Sequence, residues 1–159
     1  MRNDFTSSQL AQEVTITLPL GALLRLNDAS IFTSPTLPAA PKLNKGERYV
    51  GCIISAADIN LRHHIVLLPG DAEPATWSRQ MQWARDRGGE PIDLVEGALL
   101  AATMKDEFKQ ESYWTRKSIL EHEGYAWFQI FGSGLQSTSP KSNKLRARAV
   151  RRIPIGEER

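Results

Sequence analysis

The residues able to do chemistry are few. The chain has three histidines and one cysteine. His63 and His64 are adjacent in the run HHIVLL. Neighbouring side chains on a strand point to opposite faces, so the two imidazoles do not converge on one metal. A ligand role would need His63 and a nearby carboxylate; a structural role at a strand end is the simpler reading. Cys52 sits inside an apolar strand-like run, where a buried, inert thiol is expected. A single cysteine excludes an intrachain disulfide and a cysteine-based zinc site. Carboxylates are plentiful (Asp93, Glu96, Asp106, Glu107, Glu111, Glu121, Glu123). Asp106 and Glu107 are helix neighbours whose side chains diverge. Glu121, His122 and Glu123 form a polar segment whose oxygens suit a hard cation, and a solvated loop explains them equally. Gly-x-Ser-x-Gly, P-loop and dinucleotide signatures are lacking, and Gly132-Ser133-Gly134 reads as a hairpin turn. Nothing assembles a nucleophile, a base and an orienting group. The expectation is a protein that is not an enzyme, with no cofactor and no metal.

Charge is the second signal. The formal net charge is only +2. Residues 141–159 nevertheless carry seven basic and two acidic side chains, a net of +5, while residues 1–140 carry 13 basic and 16 acidic ones, a net of −3. A slightly acidic body ending in a basic strip suits a nucleic-acid or acidic-partner surface. It equally suits a solvated strand edge, where Lys and Arg discourage pairing with other chains.

Four tryptophans are the third signal. Trp77 and Trp83 are six apart and cannot share one helix face. Core packing is expected of Trp77, Trp114 and Trp127, and Trp83 covers a different surface.

These residues need elements to position them. A length of 159 residues, 41% apolar and 24% charged, suits one soluble domain with an arm. No apolar run approaches the roughly 18 residues of a membrane span. The opening Met1-Arg2-Asn3-Asp4 lacks the pattern of a signal peptide, so a reducing compartment is expected. Residues 1–45 read as an N-terminal arm. Thr15 to Leu18 alternates like a strand, Leu20 to Leu26 is a short apolar piece, and Pro35, Pro38 and Pro41 make a stiff linker. Residues 46–155 form the domain and 156–159 a tail. Tyr49 to Ser55 and His63 to Leu68 predict a hairpin around a turn at Asp58 to Asn60. Thr76 is a helix cap candidate, Trp77, Met81 and Ala84 mark one helix face, and Gly88-Gly89 ends it. A second helix is expected from Leu94 to Phe108. Short aromatic strands follow at Tyr113-Trp114 and Ala126 to Phe131, then Leu135-Gln136 and a Ser137 to Asn143 loop. Leu145 to Ile153 alternates with period two, which predicts a half-buried strand carrying Arg146 and Arg148 on its outer face. Helices segregated from strands imply the α+β class.

In this order and spacing the residues resemble a known family. Thr76-Trp77, Trp83-Ala84, Gly88-Gly89, Glu96 with Ala98-Leu99-Leu100, Lys105-Asp106-Glu107-Phe108, Tyr113-Trp114, Ala126-Trp127, Gln129, Phe131, Gly134, Gln136 and Arg146 to Arg152 are similar to the DUF1566 family. The short phage and prophage type, in which a strand ending His-His and a Leu-Leu-Pro-Gly turn (here His63-His64 and Leu67 to Gly70) precedes the core, is the nearest. The resemblance covers about residues 46–155. It implies a C-type-lectin-like fold: two helices with a small twisted antiparallel sheet, the first and last strands lying together. Where the family has Leu-Pro-Thr-Arg-Arg-Glu, this chain has Pro91 to Glu96. Asp93 stands in the cap position, and the arginine pair is missing. Calcium-dependent sugar binding has no matching ligand motif here.

The resemblance further implies a recognition surface on the late strands and loops, as in phage tail tips. The matching positions are Tyr125, Phe128, Gln129, Ser133, Leu135, Gln136, Ser137, Ser139, Lys141 and Asn143, read as outward-facing. The expected function is a non-enzymatic, phage-type binding module for a protein or cell-surface ligand, made in a bacterial cytoplasm and carried on the virion if tail-associated. One alternative is nucleic-acid binding through Lys141, Lys144, Arg146, Arg148, Arg151 and Arg152. Another is an inhibitor of a host defence protein. The apolar arm suggests a homo-oligomer.

Overall fold

The computed structural model describes residues 38–58 and 62–155, with the backbone of Ile16–Thr17 and Leu23–Leu24. The chain divides into two compact units, Met1–Pro38 and Ala39–Arg159. In the first, β1 (Ile16–Thr17) pairs antiparallel with β2 (Leu23–Leu24). The rest of residues 1–37, the tail 156–159 and most of the turn expected at Asp58 to Asn60 lie outside the described residues.

The second unit is α+β, with two helices and two small antiparallel sheets. The apolar runs before and after residue 60 form the expected hairpin, β3 (Arg48–Ile54) against β4 (Arg62–Leu67), with a bulge between Tyr49 and Gly51. The last strand, β9 (Ala149–Pro154), lies on the other side of β4, in register from Leu67↔Val150 to His63↔Pro154. The two-residue β5 (Glu90–Pro91) pairs with β9, giving the order β3-β4-β9-β5. A proline on a sheet's edge strand is where the fold tolerates its missing N–H. The second sheet is β6 (Ser112–Ile119), β7 (His122–Ile130) and β8 (Gln136–Pro140) in sequence order.

Helix α1 (Trp77–Asp86) begins at Thr76, which is extended there and makes no side-chain cap bond. Helix α2 (Leu94–Thr103) begins at Asp93 with a full capping box, its partner being Glu96. Both ends of such a box satisfy orphan N–H groups of the first turn. The expected continuation of α2 to Phe108 is corrected. The α-helix stops at Thr103, a turn of 3-10 helix follows at Lys105–Glu107, and Phe108 is extended. The reason lies in the core. Phe108 stacks on Phe131 with ring centroids 3.7 Å apart and meets Tyr113 edge-on at 5.4 Å. A continuous helix would present its next turn elsewhere.

Three buried clusters follow from this layout. Ile65, Leu67, Ile92, Leu100, Phe108, Tyr113, Phe131 and Val150 form the largest. Leu68, Ala84 and Ala149 lie under Trp83, and Met81, Trp114 and Ala126 join Trp77, Phe128 and Leu145. Trp114 is fully buried, Trp77 and Trp127 are half-buried, and Trp83 is sandwiched against the Arg87 guanidinium at 4.0 Å.

The double glycine shows two different needs. Gly88 has φ of +72° with open space around its Cα, so an added Cβ meets only backbone strain. A Cβ on Gly89 would lie 2.5 Å from Leu68 Cδ1 and 2.8 Å from the Val150 carbonyl oxygen. Gly88→Ala is therefore expected to destabilise by about 1 kcal/mol. Gly89→Ala should cost more, roughly 2–3 kcal/mol, because a backbone atom must move. Urea unfolding of both variants tests the order.

Candidate functional site

The ten sequence candidates are not one surface. Uninterrupted register along β7 and β8 pairs Tyr125 with Pro140, Ala126 with Ser139, Trp127 with Thr138, Phe128 with Ser137 and Gln129 with Gln136. Paired residues share a face and successive ones alternate. Tyr125, Gln129 and Gln136 therefore belong to one face, Phe128, Ser137 and Ser139 to the other. The contacts agree. Phe128 meets Trp114 edge-on at 6.2 Å in the cluster beneath α1, whereas Gln129 packs against Gly97 of α2.

Reading Gln129 as outward-facing is corrected: it is fully buried. Gln136 Nε2 donates to Gln129 Oε1 at 2.9 Å and to the Leu94 carbonyl at 2.6 Å, and Gln129 Nε2 donates to the Leu135 carbonyl at 3.2 Å. The pair bonds the start of α2 to the β7–β8 turn. Lys141 is half-buried; its Nζ donates to the Glu123 carbonyl at 2.6 Å and lies 4.7 Å from the Trp77 ring centre. Asn143 Nδ2 donates to Ser139 Oγ, and Ser133 Oγ accepts from the Leu135 N–H. Phe128, Gln136 and Ser139 are half-buried, while Tyr125, Ser133, Leu135, Ser137 and Asn143 are exposed.

Exposed material lies at both ends of the second sheet, on the β6–β7 hairpin at one and at Leu135 in the β7–β8 turn at the other. Every residue from Leu120 to Tyr125 is exposed, so the β6–β7 hairpin projects from the body. Leu120 at its tip is 88% exposed, Tyr125 43% and Leu135 65%. His122 and Tyr125 rings lie 6.4 Å apart on this hairpin. Tyr125 shares its face with half-buried Trp127, exposed Thr138 and half-buried Pro140. Leu120, Trp127 and Thr138 were missed from the sequence. Trp127 reads as core by type, and Leu120 carries no signal in its neighbours.

The basic strip is also corrected. The strand expected from Leu145 is regular only from Ala149, with Leu145 and Arg146 making isolated bridges to Ala75 and Tyr113. Arg146 and Arg148 are not on an outer face; they are 6% and 7% exposed. Arg146 donates to Glu111 at 2.9 Å, to the Ala72 carbonyl at 3.1 Å and to Glu73 at 3.4 Å. Arg148 donates to the Glu107 and Leu68 carbonyls and lies over Phe108, and its burial lowers its pKa. Burial, with the hydrogen bond to Asp71, pushes the nearby Tyr113 phenol up to about 12. Arg151 grips Glu47 with two bonds, at 3.2 and 2.7 Å. Lys144 remains exposed.

Arg152 enters a densely hydrogen-bonded site. Glu96 is 1% exposed. Its Oε1 accepts from Arg152 Nε at 2.6 Å and lies 3.2 Å from His63 Nε2; its Oε2 accepts from Arg152 NH2 at 2.6 Å and from the Asp93 N–H at 2.7 Å. A carboxylate only accepts, so the fitting His63 tautomer carries its proton on Nε2. Arg152 NH1 reaches Glu90, which also accepts from Arg116 at 2.9 Å; Arg116 Nε donates to Asp93 at 2.8 Å. Burial alone would raise the Asp93 carboxyl, but Arg116 outweighs it and holds the group below its usual range. His64 turns the other way, its Nδ1 3.0 Å from the Tyr49 hydroxyl. Cys52, half-buried, pairs across the hairpin with His64. Among the described residues no group of three or more His, Cys, Asp or Glu side chains is placed to hold a metal. No described helix is long and apolar enough to cross a membrane. Comparison with family models, curated proteins and solved structures returns no match.

The ionic sites generate two expectations. Glu96→Gln removes the buried charge that Arg152 and His63 face, leaving Arg152 with Glu90 as its remaining acid, and should destabilise by about 2 kcal/mol, a fall in Tm of roughly 4–8 °C for a chain of this size. Calorimetry checks it. The Arg151 hydrogen bonds hold the Glu47 carboxyl at about 2, against an ordinary 4.5. A depressed pKa contributes stability that is complete above 4.5 and is lost as pH falls toward 2. Glu47→Gln should therefore lower stability at pH 7 by up to about 1 kcal/mol and flatten the decline below pH 4.5. Unfolding curves at both pH values separate the two effects.

Proposed function

We propose that this chain is a non-enzymatic binding module of the DUF1566 type, built on a C-type-lectin-like fold, which recognises a protein or cell-surface ligand. One observation carries the reading: the projecting β6–β7 hairpin, exposed at every residue from Leu120 to Tyr125, with apolar Leu120 at its tip. Large exposed apolar and aromatic side chains on a rigid scaffold are what partner surfaces are made of. The surface continues along the Tyr125, Trp127, Thr138 and Pro140 face, and Leu135 is a second exposed apolar side chain, in the β7–β8 turn at the far end of the sheet. This redraws the expected surface, because Gln129 and Gln136 are scaffold. The last strand, β9, shares a sheet with the unit's first strand, β3, with β4 between them, an arrangement in keeping with the lectin-like reading. Arg146, Arg148, Arg151 and Arg152 all hold internal partners, which favours a partner-binding hairpin over a phosphate-binding strip. A phage tail component is the setting we infer. Self-association through residues 1–45 falls largely outside the described residues.

The test compares wild type with the triple variant Leu120→Asp, Tyr125→Ser and Leu135→Asp, which alters exposed residues only. Wild type should retain a specific partner from bacterial host lysate or cell envelopes, and the variant should lose it while its Tm moves by no more than about 2 °C, as expected of surface changes. Equal capture by both would reject this surface. Steep salt-dependent binding of wild type to DNA, unaltered in the variant, would favour the nucleic-acid alternative.

A further inference from the structure

A groove of about 420 Å³ opens between α1, β5 and β6, on the opposite side of α1's core contacts from Trp83 and separate from the projecting hairpin; Trp77, Met81, Arg85, Glu90, Pro91 and Arg116 line it. Its volume falls in the range of small-ligand sites, about 300–1,000 Å³. The lining has two characters. Trp77, Met81 and Pro91 give a flat apolar wall, and the Trp77 indole is fixed because its Nε1 donates to the Thr115 carbonyl at 2.9 Å. Two guanidinium groups supply the polar side. Arg116 is held in place by Asp93 and Glu90. Arg85 donates only to Gln82 Oε1, at 2.9 Å, and has no ion pair among the described residues. Glu90, the one acid in the lining, bridges Arg116 and Arg152. Both cations also serve a second acid, Arg116 with Asp93 and Arg152 with Glu96, so the lining guanidinium with no acid partner among the described residues is Arg85.

An apolar wall facing an unpaired planar fork of donors matches a flat carboxylate, because guanidinium recognises a carboxylate through two parallel hydrogen bonds. We propose that this groove is a binding site for a small planar carboxylate with an aromatic body, its ring against Trp77, Met81 and Pro91 and its carboxylate on Arg85, beside Arg116, which Asp93 and Glu90 hold in place. The site is independent of the hairpin surface.

Benzoate, titrated into the full chain and followed by the Trp77 indole and Arg85 Nε–H resonances, tests this. Benzoate should shift both signals with a Kd on the order of 1 mM. Benzamide, equal in shape but uncharged, should bind roughly tenfold more weakly, and so should benzoate to Arg85→Gln, a loss of about 1.4 kcal/mol for a charge-assisted bond. Arg79→Gln removes an exposed charge from the same helix outside the groove and should leave binding unchanged. The proposal is overturned if benzoate moves neither signal, if Arg85→Gln binds as wild type does, or if Arg79→Gln loses as much as Arg85→Gln.

Discussion

The buried carboxylate of Glu96 is the constraint around which the domain is arranged. A fully desolvated carboxylate is tolerable only where donors replace its lost hydration. Here those donors come from three separate parts of the chain: His63 on β4, the Asp93 backbone at the start of α2, and both sides of the Arg152 fork on β9. The same residue closes the capping box of α2. One side chain thus fixes where the second helix begins, which way it faces and how it sits over the β4–β9 pair. A hydrophobic residue could fill the volume, but without directional bonds it would not select this register. Arg152 extends the constraint outward through Glu90 to Arg116, so β5 and β6 are tied to the same centre.

Arg146 repeats the device at the other end of β6. It is buried among Glu111, Glu73, Asp71 and the Ala72 carbonyl, and its segment bridges to Tyr113. The loop before α1 is thereby held against the segment that joins the two sheets. The division between an acidic body and a basic C-terminal strip follows from this. The strip supplies cations to carboxylates placed much earlier in the chain. A basic run is ordinarily a solvated surface. The structure overrides that reading because each described guanidinium of the strip finds partners within the fold.

How much of this was legible depended on whether the signal was local. The β3–β4 hairpin, the Gly88-Gly89 stop and the Asp93 cap rest on neighbours in sequence, and each appears where expected. The end of α2 did not, because Phe108 obeys its rings Phe131 and Tyr113 rather than helix periodicity. Arg146 and Arg148 alternate with small apolar residues, a pattern identical for a half-exposed strand and for one covered on both sides. Only the position of Glu111, 35 residues earlier, decides between them. Gln129 and Gln136 looked like adaptable surface amides. Their burial depends on α2 packing over β7, with Gly97 leaving room for the Gln129 side chain. Glu96 was visible as a carboxylate and as part of a motif, but its partners His63 and Arg152 are 33 and 56 positions away.

The same distribution of bonds separates scaffold from surface. Polar side chains that look available, such as Gln129, Gln136, Arg146 and Arg152, are committed to internal partners, and replacing them would loosen the fold. The segment Leu120 to Tyr125 stands apart. Beyond Trp114 the β6–β7 register shifts twice, and Ile119 pairs directly with His122. Bulges strengthen local twist and re-aim side chains, and here they lie where the hairpin leaves the body. Leu120 therefore has no core to enter. Its sequence is freed from packing, while its base is anchored by the fully buried Tyr113 and Trp114. A rigid base with an unconstrained tip lets the tip's sequence change without disturbing the fold that carries it.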